Sequence, residues 1–172
     1  MRLTSGQEVI IELLAKAHNR ADFDCEENSL NHYLKESARQ NSRRRIGQTY
    51  VAVLAGEKRV IGYYTVCAGR ISFESLPQAS ENLPSYPIPT LHLARLAVDK
   101  SMKGQGLGRI LLFEVLKLAC EWSSQVGVYA VDVFALNDIA RTFYLKHGFL
   151  ELQDEKFHLF LPIKDILALE LE

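Results

Sequence analysis

Cysteine is scarce in this chain. Its three residues, Cys25, Cys67 and Cys120, lie far apart and are odd in number. That pattern argues against a disulfide framework and against a zinc site built on Cys-x-x-Cys, and it points to free thiols in a reducing compartment. Long apolar runs are missing too: no stretch approaches ~18 uninterrupted apolar residues, so no membrane-spanning helix is expected. The opening Met1-Arg2-Leu3-Thr4-Ser5-Gly6 has no apolar secretory core, which predicts a cytoplasmic protein. No group of His, Cys, Asp and Glu has metal-ligand spacing, and no metal is expected. The net charge of −1 leaves no excess of one sign for a nucleic-acid footprint over the whole surface.

What is present suits one domain over residues 1–172 with one core, since 48% of the 172 residues are hydrophobic. Ser5-Gly6-Gln7-Glu8 has capping-box spacing, and Val9, Ile10, Leu13, Leu14 and Ala17 follow at helical spacing, predicting a helix over 7–17. A second helix is predicted over 28–41, with Leu30, Tyr33, Leu34 and Ala38 on its inner face. Residues 48–54 and 59–68 are β-rich and flank the turn Ala55-Gly56-Glu57-Lys58, which reads as a hairpin. Residues 72–90 hold four of the five prolines and form a long loop. Then come an apolar strand over 91–98, a glycine loop over 103–108, a helix over 108–123 and a buried strand over 128–136. Asn137 can cap a helix over 138–147 that Gly148 ends, and a last strand covers 157–162. The order is that of a mixed α/β layer fold.

The glycine loop carries the chemistry. Three glycines at alternate positions between a buried strand and a helix let the backbone approach a ligand and turn its N–H groups toward it. The helix N-terminus adds a positive end suited to phosphate. A Walker A loop needs Gly-Lys-Ser/Thr, which is absent. A dinucleotide fold needs Gly-x-Gly-x-x-Gly hard against its first strand; here the spacing is Gly-x-Gly-x-Gly, although Asp132 lies near a strand end at a suitable distance. The glycines could also be a flexible linker. A third pattern is the acyl-CoA loop, Arg/Gln-x-x-Gly-x-Gly/Ala.

Leu96-Ala97-Val98-Asp99 followed by Lys103-Gly104-Gln105-Gly106-Leu107-Gly108-Arg109 resembles the signature of the GNAT superfamily of acetyltransferases, with Lys103 where Arg or Gln is usual. Asn137-Asp138-Ile139-Ala140-Arg141-Thr142-Phe143-Tyr144-Leu145-Lys146-His147-Gly148-Phe149 resembles the family's Asn-x-x-Ala-x-x-Phe-Tyr-x-x-x-Gly-Phe stretch. The resemblance implies an α/β GNAT acyltransferase fold: a mixed, mostly antiparallel central sheet, splayed between its fourth and fifth strands and flanked by helices. It implies acetyl-CoA as co-substrate. Backbone groups of Leu96, Ala97 and Val98 would pair with the pantetheine arm in the splay. Lys103, Gly104, Gln105, Gly106, Leu107, Gly108 and Arg109 would hold the pyrophosphate, and Asn137 would sit near the pantetheine.

Acetyl transfer to an amine needs a neutral nitrogen, a polarised thioester carbonyl and a proton for the departing thiolate. Helical side chains point back toward the helix N-terminus, which aims Tyr144 at the strand ends where the thioester would lie. Tyr144 is therefore the candidate general acid; its alternative is a core aromatic, as Phe143 or Tyr144 must be. Cys67 and Cys120 read as buried structural thiols. His92 lies in the central strand, His147 is placed to satisfy helix-end carbonyls, and His158 is expected at the surface. No general base stands out, and an α-amine with pKa near ~8 needs little help from one.

The likeness extends to Phe23-Asp24-Cys25-Glu26-Glu27-Asn28-Ser29-Leu30-Asn31-His32-Tyr33-Leu34-Lys35, to Ile61-Gly62-Tyr63-Tyr64 and to Leu93-Ala94-Arg95-Leu96-Ala97-Val98-Asp99. These segments resemble the GNAT toxins of bacterial type II toxin–antitoxin systems. That resemblance implies acetylation of the α-amine of aminoacyl-tRNA, a translation-blocking activity, and neutralisation by a ribbon–helix–helix antitoxin. It leaves room for a homodimer. Lys35, Arg39, Arg43, Arg44 and Arg45, set against Glu36 alone, would meet tRNA phosphates. They read equally as a solvated helix end favoured by the helix dipole. The alternative function is acetylation of a small-molecule or protein amine, to which the acidic residues from Glu151 to Glu172 lend weight.

Overall fold

The computed structural model describes residues 1–77 and 82–169. Its elements run β1 (Val9–Leu13), α1 (Asn28–His32), a π-helical turn (Tyr33–Ser37), α2 (Ala38–Arg43), β2 (Gln48–Leu54), β3 (Gly62–Ile71), a 3-10 turn (Phe73–Ser75), β4 (Ile88–Val98), a 3-10 turn (Lys100–Met102), α3 (Leu107–Ser123), β5 (Ala130–Phe134), α4 (Asp138–Lys146), β6 (Leu150–Glu151), β7 (His158–Pro162) and α5 (Ile163–Ala168). The strands form a sheet in the order β1-β2-β3-β4-β5-β7-β6. β4 and β5 pair in parallel, while β1 with β2, β2 with β3, β5 with β7 and β6 with β7 pair antiparallel. This is the mixed α/β acyltransferase architecture expected.

The helix expected over 7–17 is a strand. Val9, Ile10 and Ile11 form a β-branched run whose alternation serves a strand. Val9 pairs with Leu54 and Leu13 with Tyr50 at the edge of the sheet. The capping-box residues instead make a turn, with Gly6 at φ 86° and the Leu3 N–H donating to the Gln7 carbonyl at 2.9 Å. This extra strand makes 88–98 the fourth strand and 130–134 the fifth. The helix expected over 28–41 is present as the α1–α2 run, widened in the middle. The Ala38 N–H donates to the Tyr33 carbonyl five residues back, and Tyr33, Leu34 and Ala38 all become buried. β6 and α5 are additional to the expected elements. Of the proline loop, residues 78–81 lie outside the described residues, as do Glu170 and Glu172 of the acidic tail.

Two compact units are distinguished. The first holds Met1–Cys67 and Ala94–Val115, the second Ala68–Leu93 and the chain from Leu116 onward. The first unit packs Phe23, Tyr33, Leu34, Ala38, Val51, Val60, Tyr63 and Ala97 into one core. There the Arg95 guanidinium lies 3.6 Å from the Tyr33 ring centroid, and the Tyr63 hydroxyl donates to the Leu30 carbonyl at 2.8 Å. The second unit has its own core of Ile71, Leu76, Ile88, Ala130, Leu152 and Phe160. No helix among the described residues is long and apolar enough to cross a membrane.

Candidate active site

In the first unit, the loop between β4 and α3 is held open by its glycines. Gly104 and Gly106 adopt φ 76° and 82°, the left-handed region that side chains with a Cβ resist. A Cβ at Gly104 would meet nothing within 4 Å, so the backbone faces open space there. The Ile110 N–H donates to the Gly106 carbonyl at 3.1 Å, starting the helix. The N–H groups just before it have no partner within the helix and suit an anion. The Gln105 Oε1 in the same loop is buried without a hydrogen-bond partner among the described residues. The backbone N–H groups, and not this acceptor oxygen, are the donors that fit a pyrophosphate. Leu96, Ala97 and Val98 end β4, and the exposed Arg109 guanidinium lies 4.9 Å from the Phe113 ring centroid.

The residues that resemble the toxin N-terminal segment fasten this loop. Asp99, buried, accepts from the Asp24 N–H (2.9 Å), the Ser101 N–H (2.9 Å) and the Ser101 hydroxyl (2.6 Å), and it pairs with Arg59 at 3.3 Å. Burial alone would raise its carboxyl, but these donors and Arg59 hold it below the usual carboxylate range. Asp24 in turn accepts from Lys100 (2.9 Å), Asn31 (3.0 Å) and the Glu26 N–H (2.9 Å), and its carboxyl is also depressed, chiefly by the Lys100 bond. Lys103 forms an ion pair with Glu26, so its charge is shared with that carboxylate rather than directed only at a ligand.

Of the basic residues singled out, Arg39 and Arg43 line a cleft of about 280 Å³ together with Leu14, Ala15, Lys16 and Ser42. Lys16 was missed in the sequence because it follows β1 and stands far in sequence from Arg39 and Arg43. Lys35, Arg44 and Arg45 do not line the cleft. Arg44 and Arg45 are exposed at the end of α2, where Arg45 takes φ 58°.

In the second unit, Asn137 caps α4, its side chain accepting from the Ala140 N–H at 2.9 Å. His147 Nδ1 donates to the Phe143 carbonyl at 2.7 Å, the helix-end role expected of it. Tyr144 is 5% exposed, with its ring 5.2 Å from Phe143 and 5.4 Å from Phe149. Its hydroxyl has no hydrogen-bond partner among the described residues. Burial pushes its phenol well above the usual value, which keeps it protonated at neutral pH. The parallel register of β4 with β5 runs from Thr90↔Ala130 to Leu93↔Val133, while β4 continues to Val98.

His158 is not at the surface. It is buried with Nε2 2.8 Å from Asp132 Oδ2 and Nδ1 2.9 Å from Asp154 Oδ2, and its ring stacks on Phe134 at 4.0 Å. β5–β7 pairing brings it in: His158 lies opposite Phe134, on the side of the strand that carries Asp132. Asp132 also accepts from the Thr90 hydroxyl (2.7 Å) and His92 Nδ1 (3.0 Å). Burial would raise Asp132, but bonds from His158, His92 and Thr90 hold it at about 2. Burial would lower His158, but its two carboxylate partners raise it overall. Asp132 is thus the centre of a buried polar cluster, not a ribose acceptor. Cys67 and Cys120 are half-buried, and burial raises the Cys120 thiol.

Residues 10–149 match the model of the acetyltransferase (GNAT) family. A tRNA-acetylating toxin of Mycobacterium tuberculosis is 32% identical over 157 residues, covering 91% of this chain and 93% of its own. Among solved structures, a mutant of KacT superposes with TM-score 0.90 at 36% identity, over 95% of this chain and 99% of that one. AtaT complexed with acetyl-methionyl-tRNAfMet gives TM-score 0.89 at 33% identity, over 94% and 99%.

Proposed function

The chain belongs to the acetyltransferase (GNAT) family, and from that premise we propose that it transfers the acetyl group of acetyl-CoA to the α-amine of aminoacyl-tRNA, acting in the cytoplasm as a translation-blocking toxin. The observation that carries the acceptor assignment is the likeness, over 94% of this chain, to AtaT complexed with acetyl-methionyl-tRNAfMet. The family match draws on residues of both compact units, which supports taking residues 1–172 as one functional domain. A ribbon–helix–helix antitoxin is the proposed partner.

In this reading, N–H groups of Gly104 to Arg109 hold the pyrophosphate through the helix end and the left-handed glycines. Lys103 and Gln105 support that contact, Lys103 by exchanging Glu26 for phosphate. Backbone groups of Leu96, Ala97 and Val98 pair with the pantetheine and polarise the thioester carbonyl, and Asn137 fixes the start of α4 beside it. Tyr144, protonated and buried, donates to the sulfur as charge collects there. Lys16, Arg39 and Arg43 offer a cationic cleft to the RNA backbone, while Lys35, Arg44 and Arg45 would meet phosphates outside it. A cell-free translation reaction tests the reading. Protein plus acetyl-CoA should stop synthesis, and omitting acetyl-CoA should spare it; synthesis that continues with both present would overturn the toxin assignment.

A further inference from the structure

The acceptor amine must lose a proton, and none of the roles above receives it. The second unit holds a group with the chemistry to do so. His92 Nδ1 lies 3.0 Å from Asp132, whose carboxyl is ionised down to about pH 2. An ionised carboxylate only accepts, so Nδ1 carries the proton and Nε2 of the neutral ring keeps its lone pair. Nε2 has no partner among the described residues, and the side chain is 23% exposed. His158 is held differently: both of its nitrogens face carboxylates, which favour the doubly protonated ring and raise its pKa despite burial.

The described contacts set three titratable groups around His92: Asp132 from β5, His158 from β7, and Asp154 behind His158. The ring is also fixed in place. Phe134 meets it edge-on at 5.9 Å, and on β3 a Cβ at Gly69 would come within 2.8 Å of both the His92 Cβ and the Thr90 Oγ1. Only glycine there leaves this cluster its room. In register, His92 lies opposite Asp132, one pair before the parallel pairing ends.

We propose that His92, oriented by Asp132, is the base that takes the proton of the acceptor amine; this rests on the acetyl-transfer reading above. The amine lone pair attacks the thioester carbonyl carbon. A C–N bond forms and the C–S bond breaks, with its electron pair leaving on sulfur. The nitrogen's proton passes to His92 Nε2, and sulfur takes the proton of Tyr144. Exchange with solvent then removes one proton from His92 and returns one to Tyr144.

Acetyl transfer to charged tRNA and to a small amino-acid ester is measured for wild type and His92→Ala, with acetyl-CoA affinity as the check on folding. The variant should turn over ~10²-fold more slowly at unchanged acetyl-CoA affinity, the usual scale for proton-transfer catalysis. Added imidazole should restore part of the lost rate. A near-wild-type rate, or a loss that imidazole leaves untouched, overturns the assignment. Ring ¹⁵N shifts of the wild type supply a test that needs no variant: in the neutral ring Nδ1 protonated and Nε2 bare are expected, and the reverse tautomer contradicts the proposal. Wild type that acetylates neither acceptor sinks the acceptor reading instead, leaving His92 to be judged on its tautomer.

Discussion

Two single residues carry most of the proposed chemistry. Tyr144→Phe removes one hydroxyl and keeps the ring packed against Phe143 and Phe149. Turnover should fall ~10²-fold or more while acetyl-CoA affinity stays nearly constant, read by steady-state kinetics beside calorimetry. Wild-type turnover would make Tyr144 a core aromatic only. Gly106→Val places a β-branched side chain at φ 82° in the anion loop. The nearest atom to a Cβ there is Thr4 Cγ2 at 3.9 Å, so the cost to folding is backbone strain of about 1–2 kcal/mol rather than a clash. Acetyl-CoA binding should be lost by calorimetry in a protein that still melts cooperatively. Such residues were legible in the sequence because their signals are local: glycine spacing, an Asn cap, an aromatic pair on one helix. His158 was not. Asp154 stands only four residues away, but Asp132 meets it only once β5 and β7 pair, and alternation between Phe157 and Leu159 cannot say which face of a strand is covered.

Elements show the same divide between local and long-range information. The α3 and α4 boundaries follow from apolar spacing, the glycine loop and the Asn137 cap. β1 was misread because Val9, Ile10, Leu13 and Leu14 fit a helical stripe, while Val9, Ile11 and Leu13 fit a strand equally well; pairing with β2 decides between them. The error hid Lys16, which lies just past β1 and joins Arg39 and Arg43 across the cleft. Changing Lys16, Arg39 and Arg43 to Ala should raise KM for charged tRNA and flatten its salt dependence by about 2 in the slope of log affinity against log salt, as lost phosphate contacts require. Transfer to a small amino-acid ester should be almost unchanged, since the loop and Tyr144 are intact. An equal loss with both acceptors would remove the cleft from RNA recognition.

For the molecule as a whole, the buried cluster sets a pH window. Asp132 is depressed in the fold, so its stabilisation is full above the unfolded value near ~4 and is lost as pH falls toward about 2. His158 is raised, so its stabilisation is full below the unfolded value near ~6.5 and is lost as pH climbs through its folded value. Thermal melts should therefore peak between about pH 4 and 6.5, and His158→Asn should flatten the alkaline limb. A wild-type melting temperature that stays level well above that window would contradict this role for His158. The central claim is the identity of the acceptor. Purified protein with acetyl-CoA is given total charged tRNA, uncharged tRNA and a free polyamine side by side; the ester bonds are then hydrolysed and the products read by mass spectrometry. N-acetyl-amino acid released from charged tRNA alone is the result expected, and acetylated polyamine with no N-acetyl-amino acid is the result that would contradict it.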